Sequence, residues 1–437
     1  MLEPVRFYKS EKDLKFYLID CDSGLMHLII FPDDTVMLFD CNVTEDNSDK
    51  ILSFLSKVIP KKDEKQEIDI FVNSHRDQDH LRGLKEINAA YKIKSIWDSG
   101  QSGANIDNSN YKYYMYLKRK LKEENKNNVC ILVPTNKAVA VFGSAEIYCF
   151  SAEADFHENY INEVKMSAKI QHTNSIVLSI EFAGRKMLLT GDSDWKCWKE
   201  GIVPEFSNYT HNYKDADILI ASHHGSRSFF TDESVNEHID EEENPDSTYV
   251  ESIRLIAPKI TLISCGDYKT YHHPNEEAVD LYETWTSGKQ VYTTNRYGTF
   301  CGIINNNGNF AVIPSNFKNT FGKGFEIRCN RVSDGKNIEN GEELQVGCSL
   351  KFSLLGLENV INTVDDIKVF WQVTNAGIGE DCEHHEIYYK DKKESDEKYN
   401  FLRELVYEGT HLLRCRIWNK TKNFDQTRIF VVKGRRN

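Results

Sequence analysis

Over the first 315 residues, short apolar runs alternate with stretches in which apolar side chains recur every three or four positions. A short apolar run between turn residues indicates a buried strand, and recurrence at i, i+3 and i+4 indicates one face of a helix. Strands that alternate with helices favour a layered α/β architecture. The pattern predicts strands over residues 16–20, 26–31, 36–40, 68–72, 176–180, 187–190, 218–221 and 260–264, and helices over residues 47–58 and 107–126.

The pattern changes after residue 314. Residues 314–324 are polar and contain glycine, which is typical of a linker. Such a linker, followed by short alternating segments, is typical of a separate small β-sandwich. We therefore predict an α/β domain over residues 1–314 and an all-β domain over residues 325–437. The predicted strands of the second domain cover residues 325–329, 350–354, 367–373, 411–418 and 427–432.

Composition excludes a disordered chain, because 40% of the 437 residues are hydrophobic. The net charge is −13 and lies almost entirely in the first 315 residues. An acidic surface disfavours broad binding of duplex nucleic acid, which depends on cations that neutralise phosphates. A local basic groove is still compatible with this charge.

The sequence contains no signal for a membrane or for the secretory pathway. No apolar run approaches the roughly 18 residues that a membrane-spanning helix needs, and the N-terminus lacks the order of a signal peptide. The 11 cysteines are odd in number and form no C-x-x-C pair, which argues against a disulfide framework. We expect a soluble, cytoplasmic protein without a membrane partner.

The hexapeptide His75-Arg76-Asp77-Gln78-Asp79-His80 is the strongest candidate for chemistry. It directly follows the predicted strand 68–72, and Gly83 allows a helix to begin soon after it. The pattern H-x-D-x-D-H arises by chance about 0.002 times in a chain of this composition. Imidazole and carboxylate donors at this density suit Zn²⁺, Mn²⁺ or Fe²⁺. The hexapeptide therefore predicts a metal site.

Further candidate ligands lie beside other predicted strands. Asp192 follows strand 187–190. His223 and His224 follow strand 218–221, and His172 precedes strand 176–180. Because neighbouring strand ends meet at one edge of a sheet, these side chains can join the hexapeptide. Adjacent residues in an extended strand face opposite sides, so one of the paired histidines is expected to bind metal while the other supports it or contacts substrate. The sequence leaves open which one binds.

In this order the motifs resemble the metallo-β-lactamase fold, specifically the branch that includes the hydrolase domain of the DNA-uptake protein ComEC. The resemblance covers about residues 13–313 and implies an αββα sandwich with two divalent metal ions, zinc or manganese. The implied ligands are His75, Asp77 and His172 for one ion, Asp79, His80 and either His223 or His224 for the other, and Asp192 between both ions.

The resemblance also implies hydrolysis, because a water between two divalent ions loses a proton near neutral pH. Asp79 or Asp192 would orient that water. His273 is the candidate proton donor to the leaving oxygen, and its structural alternative is a histidine at a helix start before Pro274. Arg227 is a candidate contact for a phosphate.

The C-terminal region has its own motifs. The segments Trp371-Gln372-Val373-Thr374-Asn375-Ala376-Gly377 and Glu404-Leu405-Val406-Tyr407-Glu408-Gly409-Thr410-His411 resemble AGS-C, the adenylyl/guanylyl cyclase and SMODS C-terminal sensor domain. This family implies a module that senses a ligand. Trp371 and Tyr407 fit the core of a sandwich equally well. The implied sensor face uses Asn375, Arg403, Glu404 and His411.

These features predict a metal-dependent phosphodiesterase or nuclease, acting as an effector of a bacterial antiphage defence system and regulated through its sensor domain. The substrate would be a nucleic acid, which needs an open basic channel, or alternatively a cyclic nucleotide, which needs a closed pocket. A third hypothesis is a metal-binding scaffold without catalysis. Other proteins of the defence system are expected partners. A fold does not fix function, so a β-lactam substrate is not inferred.

Overall fold

The computed structural model describes residues 13–151, 168–266, 273–314, 325–355, 368–377, 385–390, 399–406, 408–419 and 424–436. The predicted linker beyond residue 314, Tyr407 and the side chain of Asn375 lie outside the described residues. The described chain forms two compact units, one over most of Glu11–Gly308 and the other over most of Asn319–Asn437.

The elements up to residue 314 are named in chain order. The strands are β1 (Leu14–Leu18), β2 (His27–Ile30), β3 (Val36–Phe39), β4 (Cys41–Asn42), β5 (Ile68–Asn73), β6 (Leu81–Arg82), β7 (Ile93–Asp98), β8 (Val129–Ile131), β9 (Ala140–Phe142), β10 (Ala145–Cys149), β11 (Leu178–Phe182), β12 (Arg185–Leu189), β13 (Ile218–Ile220), β14 (Ile260–Ile263), β15 (Val291–Thr293), β16 (Phe300–Ile304) and β17 (Phe310–Pro314). The helices are α1 (Ser48–Val58), α2 (Leu84–Tyr91), α3 (Ser109–Glu124), α4 (Ala168–Thr173), α5 (Val203–Phe206), α6 (Glu251–Ile256), α7 (Glu276–Trp285) and α8 (Thr294–Tyr297).

Two large sheets are built from these strands. The eight-stranded sheet has the order β17-β16-β1-β2-β3-β5-β7-β8, and the seven-stranded sheet has the order β15-β14-β13-β12-β11-β10-β9. In each sheet, antiparallel pairing gives way to parallel pairing, at β3 in the first and at β12 in the second. The short strands β4 and β6 pair separately.

The parallel strands bring polar residues together at their carboxyl ends. β5 and β13 are apolar runs that are almost entirely buried, and each gives way to polar residues where it ends. Two hydrogen bonds join the ends of β5 and β12 to the segment before β11: Ile176 N donates to Ser74 O at 3.0 Å, and Asp192 N donates to Ser175 Oγ at 3.0 Å. The carboxyl ends of β5 and β12, one strand from each large sheet, therefore lie close together.

Most of the predicted elements are present, with ends that differ by up to four residues because backbone pairing sets them. In α1, for example, Ile51, Phe54 and Leu55 are buried. A mixed α/β fold with several sheets is confirmed, whereas the αββα layering remains a prediction. No helix in the described part of the chain is both long enough and apolar enough to cross a bilayer.

The second unit contains two further sheets. The four-stranded sheet has the order β19-β18-β21-β24, and the five-stranded sheet has the order β20-β26-β25-β22-β23. Side chains of both sheets share one core, in which Trp371 stacks on Phe401 and Phe352 contacts Phe430. The strands are β18 (Glu326–Arg331), β19 (Asn337–Ile338), β20 (Glu343–Gln345), β21 (Ser349–Leu355), β22 (Lys368–Gly377), β23 (His385–Lys390), β24 (Asn400–Glu404), β25 (Gly409–Asn419) and β26 (Phe424–Arg435). A domain boundary within residues 314–324 remains a prediction.

Candidate metal centre

The hexapeptide forms the turn between β5 and α2. Gln78–His80 is a single turn of 3₁₀ helix, and α2 begins after Gly83. Gly83 has a φ of 77°, and a Cβ atom there would lie 2.3 Å from Val43 Cβ, so a side chain does not fit. The turn exposes Asp77 and Asp79 partly and buries His75 and His80.

Asp192 is held at the centre of the site by the end of β12. Gly191 has a φ of 50°, and a Cβ atom there would lie 2.5 Å from Ser175 Oγ and 2.8 Å from Ser74 Cβ. Because Gly191 has no side chain, the end of β12 lies directly against the end of β5, and Asp192 is almost completely buried there. Glycine is therefore required before Asp192.

The paired histidines are not in an extended strand. β13 ends at Ile220, and both His223 and His224 have left-handed backbone conformations, with φ values of 47° and 56°. The expectation that they face opposite sides is therefore wrong: His223 Nε2 lies 3.5 Å from Asp192 Oδ2, and His224 Nε2 lies 4.0 Å from Asp192 Oδ1. Both rings reach the same carboxylate.

The candidate ligands form two groups around Asp192. One consists of His75, His172 and Asp192, and the other of Asp79, His80 and His224. In each group, one ligand atom per residue lies within 4.8 Å of the others. Donor atoms that each lie about 2.0–2.1 Å from a tetrahedral metal ion are about 3.3 Å from one another. The donor atoms of each group are therefore at most about 1.5 Å farther apart than those of a bound ion.

Asp192 has one carboxylate oxygen for each group. Its Oδ2 lies 3.7 Å from His75 Nε2, and its Oδ1 lies 3.3 Å from His80 Nε2. His224 Nε2 lies 3.3 Å from Asp79 Oδ2. This arrangement agrees with a bridging position for Asp192 and assigns His224 to the group of Asp79 and His80.

Asp77 and His172 extend the first group. His172 lies in α4, where its Nε2 is 3.2 Å from Asp77 Oδ2. Asp77 Oδ2 is also 3.6 Å from His75 Nε2. The ring of His223 lies 4.5 Å from that of His172, between centroids. His223 therefore borders this group while His224 belongs to the other.

Four of the imidazoles are oriented by an oxygen at Nδ1. His80 Nδ1 lies 2.8 Å from Asp40 Oδ2, and His75 Nδ1 lies 3.0 Å from Ser74 Oγ. His224 Nδ1 lies 2.9 Å from Ser264 O, and His223 Nδ1 lies 2.6 Å from Ser228 Oγ. A partner at Nδ1 fixes the ring and directs Nε2 toward a metal, as is typical of metal-binding histidines.

Several buried atoms of this cluster have no hydrogen-bond partner among the described residues. They are the Nε2 atoms of His75, His80 and His224 and the Oδ1 atom of Asp192. Buried polar atoms are rarely left unpaired, because each costs about 1–3 kcal/mol. A cation at each group would satisfy these atoms, so the residues fit two divalent metal ions.

The charges of the cluster agree with cation binding. Burial raises the pKa of a carboxyl, but His80, His223 and His224 outweigh it and hold the pKa of Asp192 well below its usual range. Burial lowers the pKa of His80, but the carboxylates of Asp192 and Asp40 raise it well above its ordinary value. The Asp192 carboxylate is thus ionised, and a divalent cation can replace the proton on Nε2 of His80.

A cavity of about 560 Å³ opens onto this cluster. His273, predicted as a proton donor, lines it, and its ring centroid lies 5.4 Å from that of His223. Burial and the nearby His224 lower the pKa of His273, so its ring is neutral near pH 7. A neutral imidazole can hydrogen-bond to a leaving oxygen but is a weaker acid than an imidazolium.

Sequence reasoning missed several residues of the site. Arg82 is the one arginine or lysine among the described residues that line the cavity, and it lies two positions after the hexapeptide. Asp40 was recognisable only as an acidic residue at a strand end, although it accepts from Ser74 N at 2.8 Å and contacts His80. Asn42 and Asn105 also line the cavity and had no sequence signal.

Arg227 does not face the cavity, contrary to the prediction. Its Nη1 donates to the carbonyl oxygens of Asn236 and Glu237, and its Nε lies 3.9 Å from Glu233 Oε1. The loop after the paired histidines folds back, and two of its backbone carbonyl groups accept hydrogen bonds from the Arg227 guanidinium. Arg82 is therefore the better candidate for a phosphate contact.

Comparisons with known proteins support both halves of the interpretation to different extents. Residues 310–432 match the family model of the Adenylyl/Guanylyl and SMODS C-terminal sensor domain. The predicted resemblance of the C-terminal region is confirmed. The match begins at residue 310, before the predicted start of the domain at residue 325.

Part of the chain is also similar to a bacterial protein. ComE operon protein 3 of Bacillus subtilis (strain 168) is 32% identical over 145 residues, which are 33% of this chain but only 15% of that protein. The solved structure of the metallo hydrolase Igni18 from Ignicoccus hospitalis KIN4/I aligns with 70% of this chain over 100% of its own length. The sequence identity is 12% and the TM-score is 0.34. The sequence similarity agrees with the predicted ComEC-like branch, and membership in that branch remains a proposal.

In the sensor domain, three of the four predicted sensor residues lie together. Arg403, Glu404 and His411 line a cavity with several apolar side chains, but its volume is about 20 Å³. A cavity of that size holds about one water molecule. Asn375 pairs with His411 in the register of β22 and β25, although its side chain lies outside the described residues. The cavity that these described residues line is therefore too small for a nucleotide.

Asp40→Asn should weaken metal binding about 10–100-fold, which is the usual cost of losing a carboxylate that orients a metal-binding histidine. Asparagine tolerates the φ of 56° at this position, so the backbone should be retained. Isothermal titration with Zn²⁺ or Mn²⁺ measures the change. Asp217→Asn replaces a buried carboxylate at the opposite end of β13 and is the matched control. Equal affinities in the two variants would contradict the role of Asp40.

Proposed function

We propose that this chain is a hydrolase that uses two divalent metal ions, zinc or manganese, to cleave phosphodiester bonds. The observation that carries the proposal is the cluster of His75, His80, His224 and Asp192, whose ligand atoms converge without other partners. Two ions at such a site supply an activated water and hold the oxygens of the electrophile.

The residues of the chain have distinct roles in this proposal. Asp79 is partly exposed at the cavity and can orient an attacking water through a hydrogen bond, as can Asp192. His273 can donate a hydrogen bond to the leaving oxygen. Arg82 can contact the non-bridging oxygens of a phosphate, because a guanidinium can donate two parallel hydrogen bonds to it.

The substrate is proposed to be a nucleic acid, with a cyclic nucleotide as the second candidate. Similarity to ComE operon protein 3 over 145 residues favours the first. The cavity of about 560 Å³, which has one arginine and no lysine among its described lining residues, favours the second. A metal-binding scaffold without catalysis is the third hypothesis.

The full chain, once a chelator has removed its metal, should hydrolyse a phosphodiester only after Mn²⁺ or Zn²⁺ is added back. The substrates to compare are single-stranded DNA, duplex DNA, RNA and cyclic dinucleotides, with chelator-treated protein as the control. Product formation from one class identifies the substrate. Two bound ions without hydrolysis of any of them would support the scaffold and contradict the proposal.

The C-terminal sensor domain is proposed to regulate this activity. An uncontrolled nuclease damages its host, so low basal activity that rises with a ligand of the sensor domain fits an effector of a bacterial antiphage defence system, with other proteins of that system as partners. A coupling of about 1–3 kcal/mol would change activity roughly 5–150-fold.

A further inference from the structure

Helix α3 carries a basic and aromatic stripe on its exposed side. Its buried residues are Tyr111, Tyr114, Leu117 and Leu121. At 3.6 residues per turn, the opposite side of the helix consists of Lys112, Tyr116 and Arg119, with Tyr113 and Lys120 beside them, and the exposed Glu123 lies at its C-terminal end. The α3 stripe consists of Lys112, Tyr113, Tyr116, Arg119 and Lys120.

The stripe is available to a ligand. Tyr116 is 57% exposed, and the three cations of the stripe are exposed as well. Lys112 and Lys120 have only surface ion pairs, at 3.6 Å to Asp107 and 4.0 Å to Glu124, which contribute little in water. In a chain of net charge −13, α3 has five cations and two anions.

The buried side of α3 contacts the hexapeptide of the candidate metal centre. The Arg76 guanidinium lies 4.6 Å from the ring centroid of Tyr114 and donates to Met115 Sδ at 3.4 Å. α3 also packs against β6, whose Arg82 lines the cavity, and Asn105 of the segment before α3 lines it too. The first half of the helix therefore lies next to the cavity.

We propose that the α3 stripe binds single-stranded nucleic acid and positions a strand whose phosphodiester enters the metal centre. This inference rests on the proposed function and specifies its substrate. Cations on both sides of the exposed Tyr116, with the half-buried Tyr113 beside it, match a backbone whose bases are free to stack. A duplex hides its base faces and is repelled by the acidic remainder of the surface.

Binding is measured with the full chain in EDTA, so that it does not depend on hydrolysis. The probe is a fluorescent oligothymidylate long enough to cover α3, which is about 24 Å long. Lys112→Gln with Arg119→Gln should lower the slope of log affinity against log salt by about 1.4, because each lost phosphate contact on a single strand accounts for about 0.7. Tyr116→Ala should weaken binding about fivefold or more.

The matched control is Lys57→Gln with Lys61→Gln, which removes two exposed cations at the end of α1 and should leave binding unchanged. Equal binding by the stripe and control variants would overturn the inference. So would absence of binding, duplex binding as tight as that of the single strand, or equally effective displacement by polyglutamate.

Hydrolysis of bis(p-nitrophenyl) phosphate by the wild-type chain with Mn²⁺ tests the proposed function separately. If the wild-type chain binds the oligonucleotide through the stripe but hydrolyses no phosphodiester, the proposed function is wrong. If it hydrolyses the small substrate but the stripe variants bind like the control, only the inference about α3 is wrong.

Discussion

Asp192→Asn should remove most of the bound metal and lower hydrolysis by more than the roughly 10–100-fold that loss of a partner of a metal ligand costs. Each of its oxygens faces one group of ligands, Oδ1 at 3.3 Å from His80 Nε2 and Oδ2 at 3.7 Å from His75 Nε2. Asparagine keeps the shape of the side chain but replaces one carboxylate oxygen with an NH₂ group, which cannot bind a cation. Elemental analysis of protein purified without chelator measures the loss.

Asp194→Asn is the matched control for this substitution. Asp194 is also buried and lies two positions along the chain, but it accepts from Thr173 Oγ1 at 2.8 Å and Cys197 N at 2.8 Å. Burial raises the pKa of Asp194, so a neutral side chain should be tolerated there. His80→Ala should behave like Asp192→Asn. Unchanged metal content in Asp192→Asn and His80→Ala would contradict the two-metal assignment.

The sequence predicted the gathering of the site because its residues follow apolar strands. Such strands are visible as short apolar runs, and β5, β12 and β13 each end just before a candidate ligand. Parallel strands of one sheet place their carboxyl ends at the same edge, so Asp192 after β12 and the paired histidines after β13 could be predicted to meet. The hexapeptide follows β5 of the other sheet, so its approach to Asp192 depends on how the two sheets pack.

The conformation of the paired histidines could not be predicted from the same reasoning. His223 and His224 adopt left-handed backbone angles that non-glycine residues seldom take. The contacts that support them come from distant segments, such as Ser264 O at Nδ1 of His224. The local sequence pattern therefore identified the two histidines but did not predict the direction in which their rings point.

Long-range contacts also explain the errors around the cavity. Arg227 is captured by Asn236 and Glu237, which lie in a loop without a clear pattern. Asp40 lies between β3 and β4 and meets His80, which is 40 positions along the chain, only after folding. Residues of this kind become visible when the strands are assembled, because their role depends on a partner elsewhere in the chain.

Trp371→Ala should destabilise the second unit by about 3–5 kcal/mol, the usual cost of truncating a buried aromatic side chain. Trp371 is fully buried and stacks on Phe401, with ring centroids 5.5 Å apart. Chemical unfolding followed by tryptophan fluorescence and circular dichroism measures the loss. Leu402→Ala is the control in the same unit, because Leu402 is 67% exposed and its truncation should change stability by less than about 0.5 kcal/mol.

The same variant tests the proposed division of the chain, because the candidate ligands all lie before residue 225. If the two units fold independently, Trp371→Ala should retain its metal while losing any response to a ligand of the sensor domain. Loss of metal together with the unfolding of the second unit would mean that the chain folds as one cooperative body. An unaltered response to the ligand in an unfolded second unit would contradict regulation through the sensor domain.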